Sequence, residues 1–135
     1  YPLCALKAAR RYAYTKKTGR YEFIAMQNSF HGRSFGAVSV TGHDSYREPF
    51  EPVVPGVRFA EFNDLDSVKA LVNDKTCAII LEPLQGGRGN QSCNTGIYGR
   101  NTVKSVIENG ILMICDEVQC GMGRTGNMFA WQGIW

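Results

Sequence analysis

The sequence lacks the long apolar run that a membrane-spanning protein requires. Its longest apolar runs, at 77–81 and 111–115, are about five residues long, whereas a helix needs about 20 to cross a bilayer. Internal repeats and low-complexity tracts are also missing. Hydrophobic residues make up 44% and charged residues 20% of the 135, which is typical of a globular rather than a disordered protein. We expect no membrane association and a single domain, 1–135.

Metal-site and disulfide patterns are absent as well. The two histidines, His31 and His43, have no cysteine or glutamate at ligand spacing, and the five cysteines form no C-x-x-C pair. Their number is odd and most lie in apolar segments, where cysteine behaves as a small hydrophobic residue. This usage predicts free thiols in a reducing cytoplasm and no metal site.

Strong charge of either sign is lacking too. The formal net charge is +3, and the lysines and arginines are scattered except for one small basic cluster. Helical spacing places this cluster on a solvated face, which argues against a nucleic-acid partner. The basic cluster consists of Arg10, Arg11, Lys16, Lys17 and Arg20.

Helical and extended patterns alternate along the chain. Segments with helical composition and caps are 3–14, 65–72 and 101–108. Aromatic or continuously apolar segments predict strands at 21–26, 57–62, 76–81 and 111–115. Residues 42–56, rich in proline and glycine, predict irregular chain, and 86–99 carry no clear pattern. The alternation indicates an α/β fold with a mainly parallel sheet covered by helices, which binds ligands beyond the carboxyl ends of its strands.

Asp116 directly follows the apolar strand 111–115. A carboxylate there is costly unless it is paired with a cation or a hydrogen-bond donor. The partner could be a protonated ring nitrogen or Arg124, or the carboxylate could cap a helix. An acid after an apolar strand also resembles the metal-binding acid of P-loop ATPases, but no G-x-x-x-x-G-K-[ST] segment precedes it.

The segment 121–126 matches G-x-G-x-x-G, the pattern of dinucleotide-binding turns. That turn places its first glycine at the tip of a strand and an acid about 20 residues later. Here five residues separate Cys115 from Gly121, and the sequence ends before the position where such an acid would lie. A dinucleotide site therefore stays a remote alternative.

Two further segments place polar groups after predicted strands. The loop Phe30-His31-Gly32-Arg33 has an aromatic face, an imidazole and a guanidinium, which suit stacking on a flat ring and binding a carboxylate. The simpler interpretation is a surface loop with Phe30 in the core. Residues 82–87 follow strand 76–81 and share a crevice with Asp116 if the two strands are neighbours; alternatively, Pro83 only ends the strand.

Taken together, these segments resemble the class III pyridoxal-phosphate (PLP) aminotransferases. The three matching segments are NSFHGRS at 28–34, IILEPLQG at 79–86 and ICDEVQCGMGRTG at 114–126. The acetylornithine branch is the most similar, because of SFHGR at 29–33 and VTG at 40–42. The resemblance implies part of the large, cofactor-binding domain of fold type I, truncated at both ends.

The resemblance also implies a role for individual residues. Asp116 would pair with the protonated pyridine nitrogen of PLP, between Val118 on one ring face and Phe30 on the other. Gln119 would reach the phenolic oxygen, and His31 belongs to the same cofactor site. Arg33 would hold the substrate carboxylate, with Glu82 and Gln85 shaping the substrate site.

The sequence departs from the family pattern in several places. Gly87 replaces an acidic residue that helps family members to discriminate substrates. The Schiff-base lysine is expected past residue 135 and the phosphate-binding turn before Tyr1, so we expect no catalytic lysine in this chain and negligible turnover by it alone. An intact parent would be a homodimer that transfers an amino group from an N-acetylornithine-like donor to 2-oxoglutarate. The alternative is a non-catalytic α/β module for binding or assembly.

Overall fold

A computed structural model describes residues 2–87, 89, 91–93, 104 and 106–134. It confirms the predicted α/β fold with a parallel sheet. The four strands of that sheet lie in the order β2-β1-β3-β6, and every neighbouring pair is parallel. Their bounds are β1 Glu22–Met26, β2 Val57–Ala60, β3 Thr76–Leu81 and β6 Leu112–Cys115. Between β3 and β6 lies the antiparallel pair β4 Leu84–Gln85 and β5 Gln91–Ser92, of which β5 falls in the segment that had no clear pattern.

The described helices include α1 Pro2–Thr15, α2 Phe35–Ser39, α3 Asp44–Arg47 and α4 Leu65–Leu71, with 3-10 turns at Glu48–Phe50 and Ala130–Gly133. The sequence patterns predicted α1 and α4 but not α2. The prediction of irregular chain over 42–56 was wrong where α3 and the first 3-10 turn form. Of the predicted helix 101–108, positions 104 and 106–108 are helical, and the others lie outside the described residues.

Helices cover both faces of the sheet. On one face α1 packs Leu6, Ala9 and Ala13 against β1 and β3. On the other face Val68 of α4 joins the alternate residues of the same strands, such as Ile79. Strand β3 is buried over its whole length, and each of its large aliphatic side chains contributes about 1.5–3 kcal/mol by burial. Strands buried on both faces explain why their sequence is continuously rather than alternately apolar.

Strand β6 is less buried than its sequence predicted. Its residues are all half-exposed, although 111–115 is apolar throughout. The reason is its place in the sheet, because β6 pairs with β3 on one side and is an edge strand of the described sheet.

The basic cluster is only partly solvated, contrary to the prediction. Arg10 donates to the carbonyl oxygens of Tyr21 (3.0 Å) and Pro55 (3.1 Å), and its guanidinium lies 5.1 Å from the centre of the Phe23 ring. Arg20 donates to the carbonyl of Asn109 at 2.7 Å. These two arginines join distant loops at the amino ends of the strands, so their role is structural. None of the described helices is both long enough and apolar enough to cross a membrane.

The thiols fit the predicted structural role. Burial raises the pKa of Cys77 to about 11 and that of Cys93 and Cys115 to about 12. Burial, followed by the Glu117 carboxylate that accepts its hydrogen bond, raises the pKa of Cys120 to about 12. These four thiols are therefore protonated at neutral pH.

Candidate functional site

The candidate site lies where β3 and β6 end. The backbone N–H of Asp116 donates to the carbonyl of Leu81 at 2.8 Å, which extends the pairing of the two strands by one residue. This register brings the residues that follow each strand, Glu82 and Asp116, to the same edge of the sheet. The sequence predicted that Glu82 and Asp116 share a crevice if their strands are neighbours. Strands β3 and β6 are neighbours, so that condition is met.

Asp116 is paired with His31. The Asp116 Oδ2 lies 2.7 Å from His31 Nδ1, and the two side chains are 6% and 0% exposed. Because a carboxylate accepts, Nδ1 is the donor, and His31 Nε2 is then buried without a partner among the described residues. Asp116 Oδ1 accepts from the backbone N–H of Val118 at 3.2 Å. The carboxylate thus has its orientation fixed by a residue 85 positions earlier in the chain.

The loop of residues 28–42 is closed by hydrogen bonds and places His31 next to Asp116. Its ends meet through the N–H of Asn28, which donates to the Gly42 carbonyl (2.9 Å), and the N–H of Gly42, which donates to the Ser29 carbonyl (3.0 Å). Within the loop the buried Thr41 hydroxyl accepts from the His31 N–H at 3.0 Å. These bonds satisfy backbone groups that would otherwise be buried unpaired, so the loop has a defined shape.

Glu82 connects the end of β3 to the same loop. Its carboxylate accepts from the backbone N–H of Phe30 at 3.0 Å, and the residue is 4% exposed. Burial raises the pKa of Glu82, a change opposed by the Phe30 N–H and His31 and reinforced by Asp116. A buried carboxyl beside a second one is disfavoured as an ion.

Replacing Glu82 with glutamine should therefore change the pH dependence of stability. The folded pKa of Glu82 lies above its unfolded value, so the wild-type free energy of unfolding loses a contribution as pH rises from the unfolded pKa through the folded one. Glutamine keeps an acceptor for the Phe30 N–H and cannot ionise. We expect the stability of Glu82→Gln relative to wild type, from urea unfolding between pH 4.5 and 8, to increase with pH. A difference that stays constant across this range, or one reproduced by the exposed Glu61→Gln control, would contradict the assignment.

A cavity of about 370 Å³ opens beside these groups. It is lined by six of the eight residues that the sequence singled out, with Pro2 and Gly32 in addition. The six are Phe30, His31, Glu82, Asp116, Val118 and Gln119. Four separate segments of the chain thus meet at one cavity, which has an aromatic ring, an imidazole, two carboxyl groups, an amide and aliphatic groups on its walls.

The other two predicted site residues lie outside this lining. Arg33 is exposed, and its guanidinium carbon lies 4.3 Å from the centre of the Tyr46 ring. Gln85 is 1% exposed and donates its amide to the carbonyl of Gln27 at 3.0 Å. The amide of Gln85 therefore holds the turn that precedes the loop 28–42. Through this turn Gln85 affects the shape of the site without lining it.

Sequence reasoning missed two residues that support the site. Thr41 is fully buried and holds the His31 backbone; the motif VTG contains it, but nothing in the pattern shows its partner. Glu117 accepts from the backbone N–H groups of Ala130 and Trp131, both at 2.9 Å. Its position beside Asp116 was the available signal. Glu117 fixes the loop after Asp116 on the second 3-10 turn.

The glycine-rich segment 121–126 does not form a dinucleotide-binding turn. It is a series of turns and bends, and a short 3-10 turn rather than an α-helix follows it in the described chain. Arg124 donates to the Gly121 carbonyl at 2.9 Å, and among the described residues no ion pair joins it to Asp116. Both alternatives that used this segment, the nucleotide turn and the Arg124 partner, are therefore wrong.

Comparison with known proteins identifies the family. The model of the class-III aminotransferases matches residues 3–134. The chain belongs to this family. The resemblance inferred from the three motifs is thus confirmed, and by family membership the chain is part of a PLP-dependent aminotransferase.

Relatives and solved structures agree with this assignment. The mitochondrial acetylornithine aminotransferase of Debaryomyces hansenii is 45% identical over 127 residues, covering 93% of this chain and 27% of the relative. That of Clostridium acetobutylicum is 46% identical over 128 residues, covering 94% and 33%. The ornithine aminotransferase structure from Toxoplasma gondii superposes with a TM-score of 0.85 at 29% identity, covering 96% of this chain and 31% of that one. The chain spans about a third of the length of these relatives.

Proposed function

We propose that this chain supplies the ring-nitrogen side of the cofactor site in an aminotransferase that transfers the amino group of N-acetylornithine, or a similar ω-amino donor, to 2-oxoglutarate. The observation that carries the proposal is the Asp116–His31 pair at the end of β6, on the wall of the cavity. The acetylornithine aminotransferases among its relatives support the choice of donor. We further propose that the chain forms one partial large domain, 1–135, and that the enzyme is a cytoplasmic homodimer.

The residues at the cavity fit pyridoxal phosphate. A flat, protonated heteroaromatic ring needs an anion at its nitrogen and apolar faces, and the cavity has Asp116 and the side chains of Phe30 and Val118. Bound pyridoxal phosphate would supply an electron sink that stabilises the carbanion formed when the substrate loses a proton from the carbon that carries its reacting amino group. The amide of Gln119 is on the same wall and would donate to the ring's phenolic oxygen.

Residues of this chain have separate roles in holding that ring and the substrate. His31 holds the Asp116 carboxylate by a 2.7 Å contact and excludes water from it. An anion fixed in this way keeps the ring nitrogen protonated without reorganising during the reaction. Glu82 keeps the backbone of Phe30 in place, so the ring that faces the cofactor does not move away. Arg33, outside the cavity lining, would bind the substrate carboxylate.

A chimera tests the proposed function. The acetylornithine aminotransferase of Clostridium acetobutylicum keeps its own flanking segments, and the 128 matched residues are replaced by those of this chain. We expect the soluble chimera to bind pyridoxal phosphate and to transfer the amino group of N-acetylornithine to 2-oxoglutarate. The measurements are cofactor absorbance and glutamate formation.

The outcomes separate the two parts of the proposal. A folded chimera that binds no cofactor would contradict the assignment of the ring-nitrogen site. One that binds cofactor and uses ornithine or another ω-amino donor, but not N-acetylornithine, would contradict the proposed donor only. The matched control is the unmodified Clostridium enzyme under the same conditions.

A further inference from the structure

Tyr46 is the centre of a ring cluster beside the cavity. Its ring is 5.8 Å from that of Phe30 and 5.4 Å from that of His43, both edge to face. The Arg33 guanidinium lies over the same ring at 4.3 Å. Tyr46 thus contacts Phe30 of the cavity wall and Arg33 outside it, and it was not among the residues that the sequence singled out.

Two contacts of the neighbouring residue Arg47 fix the position of Tyr46. It belongs to α3, whose last residue, Arg47, donates to the Thr41 carbonyl at 2.7 Å. The Arg47 guanidinium also lies 4.1 Å from the centre of the Phe59 ring in β2. Helix α3 therefore contacts both the loop that carries His31 and the sheet. These contacts restrict the position of the Tyr46 ring.

Arg33 has its donors available. The ring attracts the guanidinium through its positive charge and offers no hydrogen-bond acceptor of the ordinary kind to its five N–H groups. Among the described residues Arg33 makes no hydrogen bond and no ion pair, and it is exposed. A guanidinium with free N–H groups on a fixed support is prepared to bind a carboxylate through two parallel hydrogen bonds.

His43 closes the other side of the cluster against Gly87. A Cβ built on Gly87 would lie 3.1 Å from His43 Nε2 and 3.0 Å from the carbonyl oxygen of Asn28. The imidazole therefore occupies the space that a side chain at position 87 would need. The ring and cation contacts of Tyr46 in the described part of the chain are to a guanidinium, an imidazole and a phenyl ring, so the cluster favours an anionic ligand.

We propose that Tyr46 is a positioning residue for substrate binding: its ring holds the Arg33 guanidinium beside Phe30, where Arg33 binds a carboxylate group of the substrate. This inference rests on the proposed function and adds to it the residue that prepares Arg33. Fixing a long side chain before the ligand arrives removes part of the ordering cost of binding. Loss of the ring should weaken carboxylate binding on the order of five- to tenfold.

The test is a titration of the whole chain with sodium glutarate, an unreactive dicarboxylate, at constant ionic strength. Binding is read from the arginine Nε–Hε signals in NMR spectra. Arg11 is an internal control because it also lies over an exposed tyrosine, Tyr14, at 5.5 Å. We expect a saturable shift at Arg33 and a much weaker one at Arg11.

Three variants identify the ring as the cause. Tyr46→Phe keeps the ring and should bind glutarate within about twofold of wild type, whereas Tyr46→Leu should raise the Kd on the order of five- to tenfold. Tyr14→Leu removes the matched ring and should leave Arg33 unchanged. Equal Kd values in Tyr46→Leu and wild type would overturn the inference. Equal responses of Arg33 and Arg11 in the wild type would overturn it too, without any variant.

A second ligand separates this inference from the proposed function. Pyridoxine 5′-phosphate, an unreactive cofactor analogue, is titrated into the cofactor-free Clostridium chimera, whose flanking segments supply the expected phosphate-binding turn, and binding is followed by fluorescence. Tyr46→Leu should leave this binding unchanged, since Tyr46 does not line the cavity. Analogue binding without a specific Arg33 response overturns the Tyr46 inference alone. A specific Arg33 response without analogue binding counts against the cofactor site alone.

Discussion

Replacing Gly42 with alanine is expected to disrupt the loop 28–42 and to lower the free energy of unfolding by about 3 kcal/mol or more. A Cβ at this position would lie 2.1 Å from the Met26 carbonyl oxygen and within 3 Å of the N atoms of Asn28 and Ser29. All three neighbours are backbone atoms, which cannot rotate away. The closing hydrogen bonds of the loop would have to break to admit one methyl group.

The measurement is urea unfolding of the purified chain, compared with the Gly86→Ala variant. Gly86 is the matched control because a Cβ built there meets no atom within 4 Å. We expect Gly86→Ala to resemble wild type and Gly42→Ala to unfold at a much lower urea concentration or to fail to fold. An unchanged midpoint for Gly42→Ala would show that the close backbone approach does not exist in solution.

Replacing Asp116 with asparagine in the Clostridium chimera should lower kcat on the order of 10²- to 10³-fold, the usual effect of losing one preorganised electrostatic group. Asparagine has the same shape and can still accept from His31 Nδ1. It carries no charge, so it cannot hold a proton on the ring nitrogen. The loss should therefore appear in kcat while the chimera remains folded.

Two comparisons make this result specific. Asp74→Asn removes an exposed carboxylate and should leave kcat unchanged. The amount of bound pyridoxal phosphate, read from absorbance, shows whether Asp116→Asn acts on the reaction or on cofactor retention. Activity of Asp116→Asn above half that of the parent chimera would remove Asp116 from the proposed role.

Local patterns determined the individual elements. The apolar run 76–81 predicted β3 with the bounds that the structure shows, because a strand buried on both faces excludes polar side chains. Helix α4 begins where its cap predicted, and the Asp64 side chain accepts from the Ser67 N–H. The motif around Asp116 likewise identified the family from residues adjacent in the chain.

Burial was harder to predict for α1 and β6. The buried stripe of α1 includes Ala9 and Ala13, and alanine is common both inside and outside a helix bundle or sheet. An apolar run also does not show whether a strand has one neighbour or two, which is why β6 proved half-exposed. In both elements burial depends on which surfaces meet, and periodicity within one element carries no information on its partner.

The sequence by itself determined the fold class, the order of strands and helices, and the family with its candidate residues. Only the tertiary structure decided that His31 holds Asp116 across 85 positions, that Gly42 has no room for a side chain, and that Tyr46 supports Arg33. The physical reason is the distance along the sequence over which each interaction acts. Propensity and capping act within a few residues, whereas these contacts depend on the register of β3 with β6 and on the closure of the loop 28–42.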